Sequence, residues 1–424
     1  MKHNNQHDRT LYLDTAAKQT VCFDCVNDWG LKTYINDRAR FGRCSFCGRT
    51  TRRPIAVRCD LLVRYVNICL HTEYDDAGEI RKAIPDADEL CLFHTTRDLL
   101  RRELPHENNK KLLQLLVEAL GNEEWCSYII GDKMALGDNL VYGWEEFCHC
   151  IKHERRYFFF QEKRRRGHYD YSDLLKGRPL TPAEVLDEIG RASQRFRLVT
   201  TLKKGTCLFR ARHPVEGIPV RTPLELGPPN EALANKANRM SPAGIVMFYA
   251  SDDPKTAIAE IRVRTHPTVV GTFVIEKDIR ILDLSCLPPE ASIFVPMPER
   301  DRGSLEFLHH FCKDLSTRVK RDGYEHVDYA PTQVVTEWFR TIFRHSGQRI
   351  NGICYPSTQH VGGRSLVLFA NQSDIVLPKH VVSDFLHHGR YPTSLPSGSA
   401  LLRVLAEQEK PWLKLLRTRR YGPD

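Results

Sequence analysis

The chain has 424 residues, 41% of them hydrophobic and 27% charged, with a formal charge of +9. That is apolar content enough for two or three packed domains, and the mixed charge excludes a disordered or histone-like chain. No run of about 18 apolar residues occurs and the start MKHNNQHDRT has no signal-peptide core, so neither a membrane span nor export is expected, and the 14 cysteines are expected in a reducing cytoplasm.

Residues 1–55 contain Cys22-Phe-Asp-Cys25, eighteen intervening residues, then Cys44-Ser-Phe-Cys47-Gly48. Two CxxC pairs at this separation predict a structural zinc site, each pair forming one knuckle. Four thiolates leave no open position for catalysis, and so short a segment would draw much of its folding energy from the metal. Gly48 supplies the permissive backbone of the second knuckle. Most other cysteines, among them Cys69, Cys91, Cys126, Cys312 and Cys354, stand alone in apolar stretches and read as small buried hydrophobes.

Residues 56–165 read as mostly helical. LLQLLVEAL (112–120) has helical apolar spacing and ends at Gly121. In 139–160, Trp144, Phe147, Ile151, Phe158 and Phe159 are expected to form a buried face. The run Lys163–Arg166 breaks that pattern and opens a linker-and-helix segment, 166–199. Within it Thr181-Pro182-Ala183-Glu184 spells a capping box with proline at the first helical position.

From 200 to 380 short apolar runs alternate with helical segments, as in a mixed α/β catalytic domain. Expected strands are 245–250, 268–275, 281–284, 352–355, 365–369 and 374–377. Expected helices are 254–264, 304–321 and 332–347. Residues 381–424 read as a helix with a basic tail. The fold class is therefore multidomain α+β: a zinc ribbon, a helical domain and a C-terminal mixed α/β domain.

Three pieces of the C-terminal half carry candidate chemistry. In LFRAR, Arg210 and Arg212 flank Ala211 on a strand, so both guanidinium groups would face one way, as a pyrophosphate requires. In NRMSPAGIVMFYASDDPKTAIAEIR, Arg239 precedes a strand ending at Tyr249; Asp253-Pro254 then starts a helix that places Glu260 near the strand end. In GICYPSTQHVGGRSLVLF, Ser357 leaves a strand, and Gly362-Gly363 lets the backbone return. Taken singly, each of these is an ordinary surface cation, core tyrosine, helix carboxylate or turn serine.

Together the three pieces resemble the RES domain, over about 180 residues. Met240 and Ser241 stand where better-known members carry Trp and Asn. The cysteine knuckles and the aromatic helices before them resemble the HEPN/RES N-terminal domain. The resemblance implies an ADP-ribosyltransferase-like fold and an enzyme that consumes NAD+ by hydrolysis or phosphorolysis, or that transfers ADP-ribose to a protein. It also implies a toxin or defence role with an antitoxin partner, and it allows a homo-oligomer. Carried over, Arg210, Glu260 and Ser357 would be catalytic: Arg210 holds the NAD+ phosphates, Glu260 the nicotinamide-ribose hydroxyls and the charge developed there, and Ser357 bonds in the same pocket. Arg212, Arg239 and Tyr249 would bind substrate.

Two other readings compete. A HEPN-type ribonuclease needs Arg and then His on one helix with four to six residues between them; Arg164 and His168 have only three between, and His153 stands ahead of Arg155 and Arg156, the wrong order. A zinc-ribbon nucleic-acid binder with an inert RES domain would need concentrated basic residues, and over the whole chain they are scattered, so nucleic acid is not an expected partner. Rossmann, P-loop, HExxH and GxSxG signatures are absent.

Overall fold

The computed structural model describes residues 14–84, 87–104, 109–121, 123–128, 136–158, 180–214, 220, 222–261, 267–317, 319, 322–377 and 411–421. Phe159, the run Lys163–Arg166, His168 and most of the expected tail lie outside them. The chain is a multidomain mixed α/β protein that divides into two compact units. The first comprises 1–139, 168–179 and 289–306; the second comprises 140–167, 180–288 and 307–424. The units do not follow the expected order of segments. Residues 140–167 group with the C-terminal part, and 289–306 group with the N-terminal part.

The first unit opens with β1 (Thr20–Cys22), which pairs antiparallel with β2 (Ala56–Arg58). Between them α1 (Trp29–Arg38) is capped by Asp28, whose carboxylate accepts from the Leu31 amide at 2.8 Å. Helices α2 (Cys59–Glu73), α3 (Thr96–Glu103) and α4 (Lys110–Leu120) supply most of the core. Leu62, Val66 and Leu70 of α2 pack with Leu99, Leu100, Leu116, Trp125 and Phe294, all buried. Phe294 shows how the 289–306 segment belongs here: Tyr65 also donates to its carbonyl at 2.6 Å. The expectation of a mostly helical region needs one correction. β3 (Asp75–Asp76), β4 (Cys91–Thr95) and β5 (Glu124–Tyr128) form a three-stranded antiparallel sheet in the order β3-β5-β4. Strands of two to five residues are too short to carry a clear period of two, and Asp75–Asp76 has no apolar residue at all.

In the second unit, α5 (Leu136–His149) and the turn after it bury Trp144, Phe147 and Ile151, as expected. Phe158 does not join them and stays 72% exposed. Next, α6 (Pro182–Arg195) starts on the capping box read from sequence: Thr181 caps, and Glu184 Oε2 accepts from the Thr181 amide at 2.9 Å. The unit is built on an eight-stranded mixed sheet of β6 (Val199–Leu202), β7 (Cys207–Arg212), β8 (Phe248–Ser251), β9 (Thr268–Ile275), β10 (Ile279–Asp283), β11 (Gly352–Pro356), β12 (Arg364–Leu368) and β13 (Leu413–Tyr421). Its order is β13-β9-β7-β8-β12-β11-β10-β6, antiparallel except for β10 with β11. Helices α7 (Pro254–Glu260), α8 (Glu299–Ser316) and α9 (Ala330–Thr341) complete the series.

Two expectations at the C-terminal end are corrected. The run 374–377 is not a strand; Gln372–Asp374 is a 3-10 turn, and Ile375 makes one parallel bridge to Leu413. Residues 413–421 are an edge strand on β9 rather than part of a helical tail. Leu413 and Trp412 are buried, with the Trp412 indole donating to Asp374 at 2.7 Å, while Arg417, Arg419 and Arg420 face out. Lys and Arg on an edge strand discourage further pairing, and their charge conceals the strand's period in the sequence.

Candidate active site

The sheet is weakest between β7 and β8, where one residue pair, Phe209 with Ser251, is in register. Arg210 bridges the gap instead: its Nη1 donates to the Tyr249 carbonyl at 2.9 Å, and the guanidinium carbon lies 5.2 Å from the Phe248 ring centroid. A cleft of ≈ 250 Å³ opens there, lined by Arg210, Arg239, Tyr249, Glu260, Tyr329, Tyr355 and Ser365 among others. Desolvation at the cleft floor pulls the Arg210 guanidinium well below its ordinary value, and the like charge of Arg212 acts the same way. An arginine nonetheless stays charged in a protein.

Glu260 is the last residue of α7 and is solvent-accessible. Its position depends on how that helix starts. Asp253 caps by accepting from the Thr256 amide at 2.9 Å, and Pro254 sets the first turn. Buried Thr256 also bonds His360 Nδ1 at 2.6 Å, tying the helix to the Ser357 loop. Gly363 makes that approach tolerable, since a Cβ there would collide with Thr256 Oγ1, and Gly362 turns the chain with φ of 79°.

The loop delivers Ser357 to the carboxylate. Ser357 Oγ donates to Glu260 Oε1 at 2.7 Å, while its own oxygen accepts from the Gln359 and His360 amides at 3.2 Å each. A second hydroxyl, Ser365 Oγ, donates to the same oxygen at 2.8 Å. Ser365 is buried on β12 and pairs with Tyr355 on one side and Ser251 on the other. Glu260 Oε2 carries no hydrogen bond among the described residues.

The tyrosines complete the walls. Tyr249 hydroxyl bonds Ser241 Oγ at 2.9 Å; burial pushes its phenol up to about 12, against the opposing pull of that hydrogen bond. Burial pushes Tyr355 well above its usual value, with the nearby Tyr249 and Glu260 acting the same way. Both are therefore neutral near pH 7, and Glu260 is the one carboxylate among the described residues that line the cleft.

The structure thus brings Arg210, Tyr249, Glu260 and Ser357 together. It places two other candidates differently. Arg212 turns away and donates to the Gly227 carbonyl at 2.9 Å, so the two arginines do not converge on one ligand. Arg239 lines the cleft, but its guanidinium donates to the Leu315 and Thr317 carbonyls at 2.7 Å each, closing the end of α8. Alternation along a strand predicts a shared face, not what each long side chain reaches. Sequence reasoning missed Ser365, Tyr329 and Tyr355, and also the bracing by α9, where Gln333 donates to the Asn238 carbonyl at 2.8 Å and Thr332 to that of Arg239 at 2.6 Å. The period-two pattern was the available signal for Ser365: in Arg-Ser-Leu-Val-Leu it stands opposite the core-facing Leu366 and Leu368.

In the first unit Cys22, Cys25, Cys44 and Cys47 converge, with all four sulfur atoms within 4.8 Å of one another. The Cys22–Cys47 and Cys25–Cys44 separations are 3.7 and 3.6 Å. Four sulfurs at about 2.3 Å around a tetrahedral metal stand about 3.8 Å apart, so the cluster fits a metal. Gly48 takes φ of 72° at the second knuckle.

Comparison with known families finds two domains in the chain. The HEPN/RES N-terminal domain 1 matches residues 37–165, and the RES domain matches residues 208–394. The chain is a RES-domain protein. No curated protein matches it. Among solved structures, it is similar to a chain in the crystal structure of the M. tuberculosis MbcT-MbcA toxin-antitoxin complex, with 12% identity and a TM-score of 0.26, covering 56% of this chain and 93% of that one. The RES match spans β7 to β12 and so contains every residue of the cleft. Among the described residues, no helix of this RES-domain protein is long and apolar enough to cross a membrane.

Proposed function

We propose that the cleft binds the nicotinamide–ribose end of NAD+ and breaks the bond between them. The observation that carries this reading is Glu260, the one carboxylate among the described residues of the cleft, fixed through one oxygen by two hydroxyls, with no hydrogen bond from the described residues on the other oxygen. Cleavage of that bond proceeds through an oxocarbenium-like transition state. Nicotinamide departs as a neutral molecule, so no strong general acid is required. What lowers the barrier is a pre-positioned negative charge beside the anomeric carbon. Oε2 fills that role and accepts from the ribose hydroxyls, while the two serines hold Oε1 and prevent the carboxylate from turning.

The rest of the cleft fits the substrate by size and charge. A volume of ≈ 250 Å³ is below the roughly 300–1,000 Å³ of pockets that enclose a whole ligand, so one end of the dinucleotide enters and the remainder lies outside. Tyr249, Tyr329 and Tyr355 offer aromatic surface to the nicotinamide. Arg210 keeps its remaining donors for a phosphate. The likeness to the ADP-ribosyltransferase fold, a toxin or defence role and an antitoxin that covers the cleft belong to this reading and rest on the RES resemblance. The four cysteines are assigned a structural zinc, which supplies folding energy to its hairpin and takes no part in the reaction.

The test is direct. Purified protein is incubated with NAD+ with and without phosphate, and the products are identified by mass. The reading expects free nicotinamide, with ADP-ribose if water is the acceptor, the 1″-phosphate if phosphate is, or ADP-ribosylated protein if a side chain is. Intact NAD+ after prolonged incubation contradicts it.

A further inference from the structure

Positive charge is unevenly spread over the first unit. Residues 38–53 hold six arginines, Arg38, Arg40, Arg43, Arg49, Arg52 and Arg53, and no acidic residue. All six are exposed. Arg49 pairs with Asp24; the other five have no carboxylate partner among the described residues. Asp37 adjoins the run on the α1 side. Like charges held this close repel one another, and this hairpin does not relax. Thr20 Oγ1 donates to the Arg43 carbonyl at 2.6 Å, the Cys44 amide to that of Arg49 at 2.9 Å, and the four cysteines clamp its tip.

Two further features belong to the same hairpin. Phe41, between Arg40 and Arg43, is 42% exposed although it is a large apolar ring. The hairpin tip, Ser45 and Phe46, forms one wall of a groove of ≈ 580 Å³ whose other wall is α4, with Lys110, Lys111, Leu115 and, as an acidic member, Glu118. Basic side chains thus continue from the arginine hairpin into a groove that is apolar at Phe46 and Leu115.

We infer that the arginine hairpin and its adjoining groove bind a single-stranded polynucleotide, with phosphates on the arginines and lysines and bases against Phe41 and Phe46. Basic residues are scattered over the chain as a whole, and that scatter gave no such expectation; their density in one rigid hairpin does. An acidic peptide would satisfy the charges equally well. It would have no use for the exposed Phe41 ring, because stacking rewards a π-face that every nucleobase has. Unpaired guanidinium groups on a fixed scaffold also suit phosphates better than lysines on a mobile one.

The test uses the full chain, the metal site intact, and four probes in fluorescence anisotropy: a 20-nucleotide single-stranded RNA, the same sequence as DNA, its duplex, and polyglutamate. With about five phosphates neutralised, log K should fall against log salt with a slope near −3.5, or roughly 100-fold between 0.05 and 0.2 M salt. The variant Arg43→Gln/Arg52→Gln/Arg53→Gln should flatten that slope by about 2. Phe41→Ala should weaken single-strand binding about tenfold with the slope unchanged. Neither variant touches the cleft, so NAD+ turnover and zinc content report whether each is folded. Tighter binding of RNA than DNA, or the reverse, identifies the source of the strand. Duplex or polyglutamate binding as tightly as the single strands overturns the inference, as does a triple variant that binds like wild type.

Discussion

At the residue scale, the account turns on one carboxylate oxygen and two hydroxyls. Ser365 bears on Glu260 from the sheet and Ser357 from the loop. Removing either leaves one donor in place, so Ser365→Ala should lower kcat about tenfold while leaving KM within about a factor of two. A Ser365→Thr variant that keeps the hydroxyl should recover much of the loss. An unchanged kcat in Ser365→Ala would show that its bond to Glu260 is not used. A second residue-scale prediction concerns pH. Arg58 donates to both oxygens of Asp60 at 2.9 and 2.6 Å and holds this carboxyl below its usual value, outweighing the opposite effect of burial. A carboxyl depressed in the folded state contributes stability above its unfolded value of about 3.9, and loses it as pH falls through the folded value. Wild type should therefore exceed Asp60→Asn in urea midpoint at pH 7, with the gap closing as the pH drops below about 4. A gap that stays constant would mean that the pair does not couple to protons. Arg210, Tyr249, Glu260 and Ser357 were legible only together, through the three motif pieces that resemble the RES domain; singly each reads as an ordinary strand, helix or loop residue. The destinations of Arg212 and Arg239 were not legible, because a carbonyl acceptor such as that of Gly227 or Leu315 has no sequence signature.

At the scale of elements, local signals written in adjacent residues proved readable. The Thr181–Glu184 capping box forms as spelled, and Thr181→Ala should cost about 1 kcal/mol of stability in a urea titration. No change would show that tertiary packing, not the cap, holds the start of α6. Strand β9 falls on the expected residues because TVVGTFVI, Gly271 aside, consists of β-branched and aromatic residues. What stayed hidden depends on distant partners. The exposed basic strand β13 exists because β9 offers it an edge, and the pair Asp75–Asp76 is a strand because β5 lies beside it. On the proposed reading, the cysteine hairpin would depend on a bound zinc in the same way. Removing zinc with a chelator should unfold residues around β1 and β2, read as loss of amide protection there, while the cleft's sheet keeps its protection. Retained protection around β1 and β2 after complete metal removal would refute the structural role.

At the scale of the whole molecule, the two units carry different chemistry. The second holds the cleft and its one carboxylate, and the first holds the cysteine cluster and the arginine hairpin. Composition bounded the class, and the three motif pieces located the half that holds the cleft. The return of 289–306 to the first unit was beyond sequence reading, since nothing in Phe294 or its neighbours marks which core they join. The measurement that bears most directly on the account is the rate of nicotinamide release from NAD+ by wild type and Glu260→Gln, at saturating substrate and with matched folded fractions. An amide keeps the shape and removes the charge, so release should slow about 10²- to 10³-fold. Equal rates in the two proteins would mean that the carboxylate does not ease nicotinamide off the ribose.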